Sequence, residues 1–263
     1  TDLQDAHMTH HSTAHQPQLA SSQSSHRASS RPRHAVRRLG SLAAAVLTAL
    51  ALSACGGGSD GGNGGPPLVV DAEGNSSFSS TQLGTTLTAL PTETLSAAEQ
   101  TSLVYMREEE KLAGDVYARL GAIWGLKIFT NISTSESTHT EAVRQLLLRY
   151  GVTDPAANLA AGLYTNATLQ GLYTQLVAAG SVSLIEGLKV GAAIEELDML
   201  DINNHLKTVD NQDIRLVYDN LLKGSRNHLR SFYKTLQQQG GSYTAQYLTQ
   251  AEFDAIVNSG MER

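Results

Sequence analysis

Two acidic runs and two histidines alternate along this chain, and their order constrains the fold more than any other feature. Glu108-Glu109-Glu110 precedes His139, and Glu195-Glu196 precedes His228. Each lies in a segment whose apolar residues are spaced three and four apart, the spacing of an amphipathic helix. Four such helices packed together can direct carboxylates and imidazoles to one internal point. The order therefore predicts an all-α fold, an antiparallel four-helix bundle with a polar centre.

Glu110 and Glu195 fall within the apolar stripes of their helices. A carboxylate that faces a core destabilises the fold by roughly several kcal/mol unless it is paired or bound to a metal. Their neighbours Glu109 and Glu196 could face the core instead, and the pattern does not decide between the two acids of each pair. Glu108 is expected in solvent, and a fully solvated acidic run is the alternative for this segment.

The second predicted helix carries Glu136 and His139, which stand three residues apart and therefore on one face. One helix can in this way supply both a carboxylate and an imidazole to a metal. However, Ser133 and Glu136 also form a capping-box pattern, which would begin the helix near Ser133 and turn Glu136 back toward its start. His228 lies among apolar positions, where a lone histidine is more often a satisfied core residue, but its place matching His139 favours a ligand role.

The N-terminal region has the features of a secretory leader. A basic stretch is followed by an apolar segment over residues 39–52, which is too short to span a bilayer. Residues 52–56 read Leu-Ser-Ala-Cys-Gly, which resembles the lipobox of bacterial lipoproteins. We therefore expect residues 1–54 to be removed and Cys55, the only cysteine, to carry a lipid that anchors the chain to a membrane. Gly56 favours the outer membrane of the cell envelope, with the protein facing the periplasm.

The amino-acid composition divides the rest of the chain into a predicted tether and a predicted folded domain. Residues 55–94 are rich in Gly, Ser and Thr and predict a disordered tether, to which Val69 and Val70 could add a short strand. Ser96-Ala97-Ala98-Glu99 has the spacing of a capping box and predicts a helix start. The folded domain is thus expected over residues 95–263, with short helices in addition to the four long ones.

The charge excludes one class of partner. The whole chain has a net charge of −6, and removing the five arginines and two aspartates of the leader takes it to −9. Nucleic-acid binding requires clustered Lys and Arg facing phosphates, so we expect no nucleic-acid partner. An acidic chain is compatible with cation binding, although many solvated surfaces share this property.

The same residues carry a resemblance to a known superfamily. Glu110 followed seven residues later by Tyr117, with Glu-x-x-His on the next helix, resembles the ferritin-like superfamily, particularly its rubrerythrin-like members. Residues 106–117 look like the opening of a prokaryotic domain family of unknown function. The resemblance covers about residues 95–239. It implies a di-iron or manganese site whose candidate ligands are Glu109, Glu110, Glu136, His139, Glu195, Glu196 and His228.

One feature departs from that pattern. Where a complete di-metal member carries its second Glu-x-x-His, this chain has Ser225-Arg226-Asn227-His228. A serine is a poor ligand for a divalent metal, so the site is one carboxylate short. Asp198 or Glu196 could fill the gap; otherwise the site holds one metal, holds its ion weakly, or has lost it.

Two functions follow from these expectations. The resemblance implies oxygen or peroxide chemistry of the ferroxidase or peroxidase type. Because the chain lacks the Cys-x-x-Cys pairs of a rubredoxin domain, such an oxidoreductase would need an external electron donor. The alternative is a metal-free helical lipoprotein with a structural or partner-binding role. The sequence does not decide between a monomer and a homo-oligomer.

Overall fold

The computed structural model describes residues 65–263. The predicted leader, residues 1–54, and the predicted lipidation site Cys55 lie outside the described residues. Along the described part, the chain forms two short strands and seven helices. In chain order these are β1 (Leu68–Val70), β2 (Ser76–Phe78), α1 (Ser80–Ala89), α2 (Ala97–Trp124), α3 (Lys127–Arg149), α4 (Ala167–Gly180), α5 (Leu184–His205), α6 (Gln212–Gln238) and α7 (Gln250–Val257).

The four long helices α2, α3, α5 and α6 pack as an antiparallel bundle, which confirms the all-α prediction. Contacts across the bundle follow opposite chain directions, so that a later residue of one helix meets an earlier residue of its neighbour. They are Tyr105 with Asp201 and Tyr117 with Glu195 for α2 against α5, and Arg149 with Asp213 and His139 with His228 for α3 against α6. Short connections within the pairs α2–α3 and α5–α6 favour the same antiparallel arrangement.

Helix α2 begins and ends where local chemistry requires. Ser96 Oγ accepts a hydrogen bond from the Glu99 backbone N–H, and the Glu99 carboxylate accepts one from the Ser96 N–H, so the predicted capping box is confirmed. The helix ends at Trp124 and is capped by Gly125, whose φ of 65° lies in the left-handed region that favours glycine. This turn sends the chain directly into α3.

Helix α3 begins earlier than the sequence predicts. It starts at Lys127 rather than near Ser133, because Phe129 and Ile132 are fully buried and extend the apolar face of the helix toward its N-terminus. Glu136 therefore lies well inside the helix, and the capping-box alternative for this residue is wrong. Its side chain points into the bundle instead of back to the helix start.

The predicted disordered tether is partly wrong. From Leu68 onward, the segment folds into a β-hairpin (β1 and β2, paired antiparallel) and helix α1, and the short strand that Val69 and Val70 could add is present as part of β1. Leu68 and two leucines of α1, Leu83 and Leu87, are buried. Burying such a side chain contributes roughly 1.5–3 kcal/mol, so a few apolar residues suffice to fix a segment whose composition resembles a linker.

The hairpin docks on α3 and α6. The backbone N–H of Ser76 donates to Ser135 Oγ (3.2 Å), and that of Phe78 donates to Thr138 Oγ1 (3.0 Å). On the other side, Ser231 Oγ donates to the backbone carbonyl of Glu73 (2.7 Å). These contacts bring β2 against the two bundle helices that carry the histidines.

No helix in residues 65–263 combines the length and the apolar character that crossing a bilayer requires.

Candidate metal centre

Glu136 lies between the two histidines at the centre of the bundle. Its Oε2 is 2.8 Å from His139 Nδ1, and its Oε1 is 2.8 Å from His228 Nδ1. The two imidazoles stack, with ring centroids 5.3 Å apart and planes inclined by 15°. One ligand atom from each of these three residues lies within 4.8 Å of the others, and all three side chains are buried. The structure therefore brings together three of the predicted ligands.

Two more predicted ligands flank this triad, one on each side. Glu110 Oε2 lies 3.4 Å from His139 Nδ1, and Glu195 Oε2 lies 3.6 Å from His228 Nδ1. The second oxygen of Glu195 accepts a hydrogen bond from Tyr117 OH (2.6 Å). Each imidazole thus faces one carboxylate of its own and shares the carboxylate of Glu136.

Asp198 occupies the side of the site where the sequence lacks a second Glu-x-x-His. Its Oδ2 accepts a hydrogen bond from Ser225 Oγ, and the carboxyl is buried. Burial, followed by the negative charge of Glu110, raises the pKa of Asp198 well above its usual value. Of the two residues expected to compensate for Ser225, the structure therefore brings Asp198 close to the ligands.

The other expected residue, Glu196, points away from the histidines. Its Oε2 accepts hydrogen bonds from three successive backbone N–H groups, those of Gln246, Tyr247 and Leu248 (2.8, 2.7 and 3.1 Å). Consecutive helical residues differ by about 100° in direction, so Glu195 and Glu196 cannot both face the centre. Glu196 holds the loop before α7 in place.

The first acidic run is divided in the same way. Glu110 faces the histidines, whereas Glu109 faces Asp198 and Asp201 rather than the imidazoles. Burial, followed by these two carboxylates, raises the pKa of Glu109 well above its usual value. Glu108 is not in solvent as expected, because its carboxylate is buried and accepts hydrogen bonds from Thr165 and Asn166. It anchors the loop before α4.

The charges of the triad stabilise one another. Burial alone would lower the pKa of His139 and of His228, but Glu136 opposes it, with Glu110 beside His139 and Glu195 beside His228. The pKa of His139 is raised well above its usual value, and that of His228 to about 9. Conversely, burial would raise the pKa of Glu136, and the two histidines hold it far below its usual range.

The flanking carboxyls respond differently. Burial raises the pKa of Glu110 to about 7, although His139 opposes the shift. Burial also raises the pKa of Glu195, against the opposing effect of His228. Two cationic imidazoles therefore do not compensate all the buried carboxylates around them, and the site favours additional positive charge.

Sequence reasoning missed one residue of the site entirely. Ser76, from strand β2, lies fully buried with its Oγ 2.9 Å from His139 Nε2 and 2.9 Å from His228 Nε2. Serine is common in linkers, and a single serine within a Gly- and Ser-rich segment carries no signal of its own. Only the folded hairpin identifies it.

Comparison with known proteins places the domain in a family. Residues 99–260 match the family described as "Uncharacterized protein domain (DUF2202)". The chain belongs to this family. The expected resemblance to a prokaryotic domain family of unknown function is thereby confirmed. In this chain, the DUF2202 domain contributes α2 to α7, and the β-hairpin that carries Ser76 precedes it.

An archaeal relative shares both sequence and fold. The uncharacterized protein MJ0754 of Methanocaldococcus jannaschii is 45% identical over 177 residues, which cover 67% of this chain and 96% of that protein. A crystal structure of hypothetical protein MJ0754 from Methanococcus jannaschii DSM 2661 matches with a TM-score of 0.65 and 46% identity, covering 66% of this chain and 99% of that one. The DUF2202 fold is thus shared with a chain of known structure.

The residues of the DUF2202 site fit a metal ion. Among the described residues, Glu110 Oε1 and Asp198 Oδ1 are buried and have no hydrogen-bond partner. Such atoms destabilise a fold unless something satisfies them. Imidazole nitrogens combined with carboxylate oxygens suit iron, manganese and zinc, whereas calcium and magnesium prefer oxygen alone. The donor set therefore suits a transition metal.

A crevice between α2 and α3 reaches the site from outside. It has a volume of about 160 Å³, and both Glu110 and Glu136 contribute to its lining. Gly114 widens this gap, since a Cβ at that position would lie 3.2 Å from Glu136 Cβ. The space accommodates an ion or a few water-sized molecules.

Proposed function

We propose that this protein is an envelope-anchored, ferritin-like metalloprotein that binds iron or manganese in its bundle core. We further propose that it reacts with oxygen or peroxide in the manner of a ferroxidase or peroxidase. One observation carries the metal proposal: Glu136 places one oxygen 2.8 Å from His139 Nδ1 and the other 2.8 Å from His228 Nδ1. A carboxylate shared in this way is the arrangement that bridges two metal ions in bundle proteins.

The ligands divide into two sets around this bridge. One set would be His139 and Glu110, and the other His228 and Glu195, with Glu136 common to both. Asp198 would add a further carboxylate near Glu110 and Glu195, which compensates in part for Ser225. We therefore propose a two-metal site in which aspartate, held by a serine, replaces the missing glutamate.

Other residues keep these ligands in place. Tyr117 donates to Glu195 Oε1 and leaves Oε2 directed at His228. Ser225 holds one oxygen of Asp198 and leaves the other without a partner. The ligand side chains are almost completely excluded from solvent, so charges within the site interact more strongly than they would in water. Positioning of this kind is how a protein tunes a metal site.

Bound iron or manganese would supply one-electron redox chemistry toward oxygen or peroxide at this centre. The crevice lined in part by Glu110 and Glu136 supports a small substrate, because its volume of about 160 Å³ suits a molecule of the size of oxygen or peroxide. The chain has one cysteine, which rules out an internal Cys-x-x-Cys electron-transfer module. Turnover would thus require an external electron donor.

The proposed location rests on the sequence. The apolar segment over residues 39–52, followed by Cys55, supports export and lipid attachment. We propose that the lipid anchors the protein to the outer membrane and that the domain faces the periplasm. Labelling of the full chain with a fatty-acid probe, with Cys55→Ser as the control, tests this directly; loss of label in the variant supports it, and an unlabelled full chain contradicts it.

Metal analysis tests the metal proposal. The full chain, purified without chelators or metal affinity resin, is analysed by mass spectrometry beside a His139→Ala, His228→Ala double variant. His205→Ala is the matched control, because this third histidine of the described residues lies on α5 and packs against Tyr105 outside the site. We expect about two metal ions per chain, lost in the double variant and kept in the control.

Failure to bind ferrous, manganous or zinc ions after reconstitution would overturn the metal proposal. It would leave the second candidate, a helical lipoprotein whose buried ion pairs are structural. One observation favours that candidate, since Glu136 and the two histidines already pair with one another. The unpartnered oxygens of Glu110 and Asp198 argue against it.

A further inference from the structure

The hydroxyl group of Ser76 contacts the Nε2 atoms of both imidazoles. Ser76 Oγ lies 2.9 Å from His139 Nε2 and 2.9 Å from His228 Nε2, on the side of the rings opposite Glu136. Ser76 is fully buried. The same two rings therefore contact a carboxylate through Nδ1 and one shared hydroxyl through Nε2.

Proton counting restricts what this arrangement can do. A serine hydroxyl has one proton and two lone pairs, so it can donate to one imidazole at most but can accept from two. At least one of the two Nε2 atoms must therefore carry a proton. If both do, Ser76 Oγ accepts two hydrogen bonds, and loss of the Nδ1 proton from each ring leaves an Nδ1 lone pair directed toward Glu136. That is the tautomer that metal binding through Nδ1 requires.

The position of the hydroxyl is tightly determined. The Ser76 backbone is held by Ser135 Oγ, and the ring of Phe78 packs edge-on against His139 with centroids 5.7 Å apart. On α6, Gly224 leaves the necessary space, because a Cβ there would lie 2.7 Å from His139 Cε1 and 2.9 Å from Ser76 Oγ. The hydroxyl and the ring fit only because residue 224 has no side chain.

We propose that Ser76 is a positioning residue that fixes both histidines in the Nε2-protonated tautomer and so presets their Nδ1 atoms to bind metal. This inference rests on the proposed metal site and adds to it a residue from outside the matched family region, which begins at residue 99. The hairpin is then a functional part of the site, and this chain completes its metal centre with a segment that precedes the DUF2202 domain.

Ser76→Ala removes the hydroxyl with little change in volume. Ser231→Ala is the matched control, because it removes another hydroxyl that holds the hairpin, through Glu73, but does not touch either imidazole. Zinc affinity of the full chain is measured by competition with a chelating dye. We expect zinc binding roughly 10- to 100-fold weaker in Ser76→Ala, the usual effect of losing an outer hydrogen-bond partner of a ligand, and nearly unchanged in Ser231→Ala.

A spectroscopic measurement separates positioning from general stabilisation. Long-range proton–nitrogen NMR spectra of the zinc-loaded wild type should show two imidazoles with protonated Nε2 and zinc-bound Nδ1, and these Nε2 protons should exchange slowly with water. In Ser76→Ala, we expect the same protons to exchange faster. Wild-type spectra with an unprotonated Nε2 on either ring would overturn the proposal without recourse to any variant.

The remaining outcomes are equally decisive. Equal zinc affinity of Ser76→Ala and wild type would overturn the proposal, and so would equal weakening in Ser76→Ala and Ser231→Ala, because both would show that the hydroxyl has no role beyond docking the hairpin. A wild-type chain that binds no zinc would instead contradict the proposed metal site. The failure of one proposal is thus distinguishable from the failure of the other.

Discussion

His139 and His228, from two different helices, stack with ring centroids 5.3 Å apart and present their Nδ1 atoms to opposite oxygens of Glu136. This relationship joins the two halves of the bundle at one point. It also explains why an antiparallel pair of helices, α3 and α6, needs a carboxylate between its imidazoles, since two stacked and partly charged rings would otherwise repel each other.

Glu136→Gln should remove the charge on which both histidines depend. Removing one partner of a buried ion pair typically costs about 3–5 kcal/mol, so we expect a loss of this size in the free energy of unfolding of the metal-free chain at neutral pH. Denaturant titration measures it. Glu141→Gln is the control on the same helix, because Glu141 pairs with Arg144 at the surface and should contribute about 1 kcal/mol or less. Equal stability of Glu136→Gln and wild type would contradict this account of the centre.

Separate substitution of Glu195 and of Glu196 should produce two different effects. Glu195→Gln is expected to weaken metal binding, because Glu195 faces His228. Glu196→Gln is expected to leave metal binding unchanged and to increase proteolysis in the loop over residues 246–248, whose backbone N–H groups it binds. Metal affinity and limited proteolysis measure the two effects. Strong loss of metal binding in Glu196→Gln but not in Glu195→Gln would show that Glu196, rather than Glu195, faces the histidines.

Gly224→Ala tests the close approach between α6, the hairpin and His139. The added Cβ would lie 2.7 Å from His139 Cε1, so we expect a loss of about 1–3 kcal/mol in the free energy of unfolding together with weaker metal binding. Gly171→Ala is the control, since no atom lies within 4 Å of a Cβ there, and α4 should gain up to about 1 kcal/mol from better helix propensity. Unchanged unfolding free energy and metal binding in Gly224→Ala would contradict this prediction, because they would show that His139 and Ser76 can move to make room for a Cβ.

Glu262 should contribute stability that depends on pH. Hydrogen bonds from Arg226, joined by Arg230, hold the pKa of its carboxyl at about 2, below the ordinary value of 4.5. A lowered folded-state pKa means that this stabilisation is complete above pH 4.5 and is lost as the pH falls toward 2. The difference in unfolding free energy between wild type and Glu262→Gln should therefore be constant at neutral pH and shrink in acid. A difference in unfolding free energy that grows as the pH falls would contradict this role of Glu262.

The sequence predicted the bundle and most of the site because helical periodicity is a local property. Glu110 and Glu195 interrupt apolar stripes, and Glu136 and His139 share a face, so five candidate ligand positions including His228 could be found from spacing. Spacing could not decide which acid of a consecutive pair faces inward, because about 100° of rotation separates them and both helices are buried on several sides. Glu108 and Glu196 are buried because they bind neighbouring loops, and Glu109 faces Asp198 and Asp201.

Ser76 and the hairpin show a different limit. The contact between Ser76 and His228 joins residues 152 positions apart in the chain, and no local pattern encodes it. The segment is fixed because Leu68, Leu83 and Leu87 are buried in the folded structure. Composition alone made it resemble a linker.

Anomalous X-ray diffraction from crystals of the full chain grown with manganous ions tests the central claim most directly. We expect anomalous peaks on either side of the Glu136 carboxylate, one beside His139 Nδ1 and one beside His228 Nδ1. Crystals that show manganese only at surface carboxylates, with Glu136 still paired directly to both histidines, would contradict a metal centre in this bundle.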